Sequence, residues 1–197
     1  GTHLLHAALR EVLGPNATQR GSLVTPGRLR FDFSHDAPVG RGEIDAIEDL
    51  VNGWIETNAP AVVEEMSYPD AVAAGAVAMF GEKYGDRVRV LSFGDFSKEL
   101  CGGTHVRATG DIGVLKVIGE GGVASGVRRV EALTGPEALR RWREQERALE
   151  RTAELLKAPV GELEARVEKL LEERRALERE LESARAAQRS AASGDLA

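Results

Sequence analysis

An α+β fold, with a largely antiparallel sheet packed with helices and a long helical hairpin or coiled-coil segment behind it, is predicted by three patterns in the sequence. Between Arg28 and Ser34, Leu29, Phe31 and Phe33 alternate with Arg30 and Asp32, the period-two signature of a strand with one buried face. Between Gly42 and Thr57, Ile44, Ile47, Leu50, Val51, Trp54 and Ile55 recur at helical spacing. Beyond Pro136 the apolar residues thin to a seam at intervals of three, four or seven within a charge-saturated background. Strands and helices are intermixed, and several strands are joined by hairpin-length connections, which favours an antiparallel over a parallel sheet.

In chain order, a first helix is predicted over Thr2–Leu13, because Leu4, Leu5, Ala8, Leu9 and Val12 form one stripe and Gly14-Pro15 stops it. Two strands, about Gln19–Thr25 and Arg28–Ser34, flank Pro26-Gly27, the strongest hairpin signal in the chain. The Gly42–Thr57 helix follows. Ala61–Met66, Val88–Phe93, Gly113–Gly119 and Val127–Leu133 are further strands by their β-branched and apolar content. The glycine-rich Gly119–Gly126 matches neither a P-loop nor a dinucleotide fingerprint and is expected to be a flexible hairpin loop.

The chain divides into a domain over residues 1–135 and a helical segment over 136–197. In the segment, Leu139, Trp142, Leu149, Ala153 and Leu156 mark one amphipathic helix, and Leu163, Val167, Leu170, Leu177 and Leu181 mark a second after the Ala158-Pro159 break. Glu146 and Arg174 interrupt the seams, and the Ala-Ala-Ser-Gly stretch at 191–194 reads as a frayed linker. The seam must pack on its own hairpin, on a second copy or on a neighbouring domain, and an intramolecular hairpin spacer is the favoured arrangement.

The formal net charge of −6 and the pI near 5.4 argue against a protein that coats nucleic acid, so any RNA contact is local. One cysteine excludes an internal disulfide, and neither a signal peptide nor a membrane-length apolar run is visible; a cytoplasmic protein without membrane attachment is expected. The initial Gly-Thr suggests a piece of a larger protein.

Chemistry concentrates at Cys101-Gly102-Gly103-Thr104-His105. A thiolate and an imidazole suit zinc, and the intervening glycines let both side chains turn toward one point. Two ligands are too few, so others must come from elsewhere, and His3, His6 and His35 are the remaining imidazoles. His3 and His6 are one turn apart; either both bind one metal, or one faces the core and the other solvent. A competing reading makes Cys101 a nucleophile activated by His105 in a metal-independent hydrolase.

The segments Thr2-His3-Leu4-Leu5-His6-Ala7-Ala8-Leu9-Arg10, Gly21-Ser22-Leu23-Val24, Leu29-Arg30-Phe31-Asp32-Phe33-Ser34-His35, Cys101-Gly102-Gly103-Thr104-His105 and Gly126-Val127-Arg128-Arg129-Val130-Glu131-Ala132 occur in this order. Together they resemble the editing domain of the alanyl-tRNA synthetase family and the helical segment that follows it. The resemblance implies an aminoacyl-tRNA ester hydrolase within an alanine-tRNA ligase, which removes serine or glycine wrongly attached to tRNA(Ala). It implies zinc held by His3, Cys101 and His105, with a fourth ligand, a histidine, two residues upstream of Gly1, and it returns His6 to a structural role. ATP and magnesium belong to the aminoacylation domain of the parent, which this chain lacks along with an upstream β-rich segment and a C-terminal domain.

In the same resemblance Gln19 matches a pocket position, suited to orienting water or substrate. Thr2 either contributes its hydroxyl there or serves as the helix N-cap. Arg128 and Arg129 point to opposite faces of their strand, so at most one reaches the pocket; either would neutralise phosphate near the tRNA acceptor end. The expected partners are that acceptor end and the other domains of the parent synthetase, with self-association through the tail as a further use of the seam. A free-standing alanyl-tRNA editing protein and a non-catalytic tRNA or protein interaction module are the alternatives.

Overall fold

A computed structural model of the protein describes residues 1–78 and 84–194. Packing divides the chain into two units, Gly1–Arg141 and Trp142–Ala197.

The first unit is an α+β domain with two antiparallel sheets. Helix α1 (Thr2–Leu13) is followed by the hairpin β1 (Gln19–Thr25) and β2 (Arg28–Ser34), then helix α2 (Arg41–Glu56), β3 (Ala61–Ser67) and the short helix α3 (Tyr68–Ala73). Next come β4 (Arg87–Phe93), β5 (Ser97–Leu100), a 3-10 turn at Thr109–Ile112, β6 (Leu115–Ala124), β7 (Val127–Thr134) and the start of α4 (Gly135–Leu156). One sheet has the order β1-β2-β7-β6 and the other β3-β4-β5, every pairing antiparallel.

The alternation in β2 does what it predicts: Leu29, Phe31 and Phe33 are buried on the inner face. They meet Val130 and Ala132 of β7, Leu4, Leu5 and Leu9 of α1, and Ile47 and Val51 of α2 in one core. Ala71, Val88, Val90 and Leu100 form a smaller cluster under the second sheet. Because Leu100 is locked into that cluster, the end of β5 is fixed where α1 passes beside it.

The β6 edge is covered rather than bare. Asn52 of α2 donates to the Leu115 carbonyl at 3.0 Å and accepts from the Leu115 N–H at 2.8 Å, mimicking a neighbouring strand. Glu48, also on α2, accepts from the Val117 N–H at 2.5 Å and pairs with Lys116 at 2.6 Å. Asn52→Ala strands both Leu115 backbone groups, so a loss of about 1–3 kcal/mol in urea denaturation is expected. A change below a few tenths of a kcal/mol would contradict the strand-mimic role.

Three expectations about local structure are corrected. The strand predicted at Gly113–Gly119 starts later, at Leu115, because Gly113 turns at φ +80°, where a side chain's Cβ would lie 3.2 Å from the Gly135 Cα. Gly119–Ala124 is not loop but the second half of β6, with register irregularities at Val117/Gly119 and Gly122/Ala124; the turn is confined to Ser125-Gly126, where Gly126 has φ +66°. Residues 191–194, expected to fray, continue helix α5 to Gly194. The helix α3 and the strand β5 are not among the predicted elements: α3 is six residues long, too short for an apolar period, although its Ser67 N-cap and Pro69 are a helix-start signal, and Ser97-Lys98-Glu99-Leu100 reads as polar.

The second unit holds the rest of α4, a 3-10 turn at Val160–Glu162 after Pro159, and α5 (Leu163–Gly194). Ala153 is buried there, while Leu177 is 64% exposed and Val167, Leu171 and Leu181 are also exposed, so much of the α5 seam meets solvent in this chain. No described helix is long and apolar enough to cross a membrane.

Candidate metal centre

Three donors converge from two distant parts of the sequence. His3 lies in the first turn of α1, and Cys101 and His105 flank the Gly-Gly turn that leaves β5. His3 Nε2 is 3.1 Å from His105 Nε2, and Cys101 Sγ is 3.3 Å from the same nitrogen. All three donor atoms lie within 4.8 Å of one another, and all three residues are half-buried. Tetrahedral zinc at ordinary bond lengths separates two imidazole nitrogens by about 3.3 Å, and a sulfur from a nitrogen by about 3.6 Å. The donor types, and the spacings of His105 Nε2 to the other two donors, fit zinc. Among the described residues this is the one cluster of His, Cys, Asp and Glu groups with metal-ligand spacing.

The turn between Cys101 and His105 is held by one residue of β4. The Arg89 guanidinium donates to the carbonyls of Cys101, at 2.7 Å, and Gly103, at 2.9 Å, while the Cys101 N–H donates to the Arg89 carbonyl at 3.0 Å. At Gly103 a Cβ would lie 3.5 Å from the Cys101 sulfur and 3.8 Å from His105 Nε2, in contact with both donors.

Glu99 sits behind the cluster, 5% exposed. Its two oxygens accept from His3 Nδ1 at 2.6 Å and His6 Nδ1 at 2.9 Å. Burial alone would raise this carboxyl, but the hydrogen bonds and charges of the two histidines outweigh it and hold its pKa down at about 2. His105 is lowered to about 4, by burial first and then by the nearby His3, Arg89 and N-terminal charges, so it is a neutral imidazole at physiological pH and suited to ligation. His6 is buried against Phe31, ring centroids 5.4 Å apart, and does not join the donor cluster. Neither alternative for the helix histidines is met as stated: His6 faces the core, and His3 is half-buried in the donor cluster rather than turned to solvent. His35 stacks on Phe33, with centroids 6.2 Å apart, and is not part of the cluster either.

The other sequence candidates lie as follows. Gln19 is buried at the start of β1, and its side-chain amide donates to Ser22 Oγ at 3.0 Å. Thr2 is the first residue of α1 and lines a small cavity of about 80 Å³ with Pro26, Gly27, Leu29 and Thr134. It is not the N-cap: that position is Gly1, which has no side chain to accept a bond, so the capping alternative is overturned. Arg128 makes a two-point pair with Glu120, both contacts 2.6 Å, and Arg129 makes another with Asp32 at 2.6 and 2.8 Å. The Arg129 hydrogen bond holds the Asp32 carboxyl below its ordinary range. Both arginines are engaged through Nε and one terminal nitrogen, which leaves the other terminal nitrogen of each guanidinium outside its carboxylate pair. Sequence reasoning missed Glu99 and Arg89; a lone acidic residue in a polar run and a basic residue in a strand carry no motif.

The model of the threonyl and alanyl tRNA synthetase second additional domain matches residues 88–131, from β4 through most of β7 and including Glu99, Cys101 and His105. The chain is 58% identical over 194 residues to an alanine–tRNA ligase of Chelativorans sp. (strain BNC1), covering 93% of this chain and 22% of that protein. It is 55% identical over 196 residues to the alanine–tRNA ligase of Bordetella bronchiseptica, covering 100% of this chain and 22% of that protein. With the alanine–tRNA ligase of Methylococcus capsulatus the identity is 56% over 196 residues, at 100% and 23%. The chain thus spans between a fifth and a quarter of the length of the curated relatives it matches.

Proposed function

Because the chain is homologous over its whole length to one continuous segment of the alanyl-tRNA synthetases and carries their second additional domain, we propose that it is a zinc-dependent proofreading hydrolase. Its substrate is tRNA(Ala) esterified with serine or glycine. The observation that carries this reading is the convergence of His3 Nε2, Cys101 Sγ and His105 Nε2 within 4.8 Å, backed by a buried carboxylate. In the parent protein, aminoacylation with ATP and magnesium belongs to another domain, and a histidine upstream of Gly1 supplies the fourth ligand.

In the hydrolysis, a water oxygen bonds to the ester carbonyl carbon, the bond from that carbon to the ribose oxygen breaks, and the ribose hydroxyl and the free amino acid leave. His3, Cys101 and His105 would hold the zinc, which would supply a cationic centre for the amino end of the substrate. Gln19 orients water or substrate through its amide, and the Thr2 hydroxyl offers a polar contact beside His3. Glu99 keeps its charge behind the ligands and does not meet the ester. Arg128 or Arg129, held in place by its carboxylate partner, meets acceptor-end phosphate.

A pocket with a donor or acceptor for the serine hydroxyl leaves that group unpaired when alanine is bound, so the correct ester is spared. The chain, extended upstream through the expected histidine, is incubated with seryl-, glycyl- and alanyl-tRNA(Ala). Release of serine at least about 100-fold faster than alanine is expected. A folded, zinc-loaded extended chain that releases neither serine nor glycine would instead favour a tRNA-binding module.

A further inference from the structure

His6 has no place in the ligand set, yet it is 3% exposed in the core and its ring bonds to Glu99. Its Nε2 is buried with no partner among the described residues. Leucine or phenylalanine would fill this position beside Phe31 without leaving a ring nitrogen unpaired. What an apolar side chain could not supply is the Nδ1–H that reaches Glu99 Oε1 at 2.9 Å.

We propose that His6 is a positioning residue, which through Glu99 holds His3 in the tautomer and orientation needed to offer Nε2 to a metal. The inference rests on the metal-site part of the functional reading, not on hydrolysis. An ionised carboxylate only accepts hydrogen bonds, so both bonds to Glu99 require the proton on Nδ1 of each ring. With Nδ1–H of His3 committed to Glu99 Oε2 at 2.6 Å, its Nε2 lone pair faces His105 Nε2 and the cysteine sulfur. A carboxylate bonded to His3 alone could rotate about its terminal torsion, a soft two-fold one. The second bond, from a ring one helical turn away on the same rigid helix, fixes both oxygens and hence the plane in which His3 is held. The buried triad His6–Glu99–His3 thus acts as a relay of geometry from the core of α1 to the metal position. No proton moves along it.

The test reads metal binding and tautomer, not activity. In the metal-free chain, long-range proton–nitrogen NMR should show Nδ1–H on both His3 and His6; the Nε2–H form at His3 would overturn the proposal. Zinc affinity is then measured by competition with a chromophoric chelator, and the ligand field by cobalt absorption. His6→Leu, which keeps the packing, should weaken zinc about tenfold or more and broaden the cobalt bands, within the range that outer ligands of metal sites show. His6→Asn, whose amide keeps a donor toward Glu99, should stay within about threefold of the unsubstituted chain. Glu99→Gln should weaken zinc at least as much as His6→Leu, and the double variant should be no weaker than Glu99→Gln alone. Unchanged zinc affinity and an unchanged cobalt spectrum in His6→Leu would overturn the proposal, as would equal losses in His6→Asn and His6→Leu. Should His6→Leu fail to fold, the tautomer measurement and the Asn and Gln variants still decide. Zinc binding with these dependences but without deacylation would overturn the hydrolase reading and leave this inference standing.

Discussion

Replacing Cys101 by alanine is expected to lower zinc affinity by at least about 100-fold, more than a change behind the ligands would cause, and to remove the sulfur-to-metal charge-transfer band of the cobalt form. The reason is geometric. Sγ stands 3.3 Å from His105 Nε2, and the three donor atoms lie within 4.8 Å of one another, so the thiolate is one of three protein groups that define the metal position. Alanine leaves two neutral imidazoles and removes the one donor of the three that binds as an anion. The backbone of the turn should be unaffected, because Arg89 grips the Cys101 and Gly103 carbonyls and not the sulfur. Deacylation of seryl-tRNA(Ala) should fall with the metal. A cysteine nucleophile predicts something different: the alanine variant would lose hydrolysis but the unsubstituted chain would keep it in the presence of chelator.

The second large effect is on stability. Phe31→Ala should cost about 3–5 kcal/mol, a large part of the roughly 5–15 kcal/mol that holds a typical domain together. Phe31 is fully buried at the centre of β2, its ring 6.4 Å from that of Phe33 and 5.4 Å from that of His6. Removing it opens a void between the main sheet and α1, on the side that positions His6 and, through Glu99, His3. Urea denaturation of the chain measures the loss. As a control, Leu177→Ala on the exposed face of α5 should change stability by less than about 0.5 kcal/mol. A loss below about 1 kcal/mol at Phe31 would mean that the core does not depend on this strand.

The parts of the fold that announce themselves in the sequence are those whose pattern is set by burial of their own residues. Helix α1 occupies Thr2–Leu13 and the first hairpin turns at Pro26-Gly27, because an apolar stripe and a proline-glycine pair act locally. Helix α2 falls within one residue of its predicted start and end for the same reason. What the pattern hides is structure imposed from outside. β5 carries Ser97, Lys98 and Glu99, a polar run that becomes a strand because β4 pairs with it and Leu100 anchors it. Glycines at 119, 121 and 122 read as loop, yet pairing with Glu131, Arg129 and Arg128 of β7 keeps them in a strand. Tertiary context outweighs weak β-propensity in both cases.

The site divides along the same line. Cys101 and His105 are legible because two soft ligands across a Gly-Gly turn form a local motif, and His3 joins them through the family resemblance. Glu99 is not legible, since its meaning comes from α1 lying against β5, nearly a hundred residues away in sequence. His6 shows what is lost without that partner. From sequence it is a helix residue with a structural role; in the structure it is a buried side chain bonded to the second oxygen of the carboxylate that holds His3.

The central claim, that this fold removes wrongly attached amino acids from tRNA(Ala) with zinc held by His3, Cys101 and His105, is tested most directly by metal removal and return. The extended chain is stripped with chelator, assayed on seryl-tRNA(Ala), and assayed again as zinc is titrated back. Serine release should vanish on stripping and return in proportion to zinc bound, reaching its full rate at one ion per chain. Full activity in the stripped protein, with serine trapped as an ester on the Cys101 sulfur, would contradict the account.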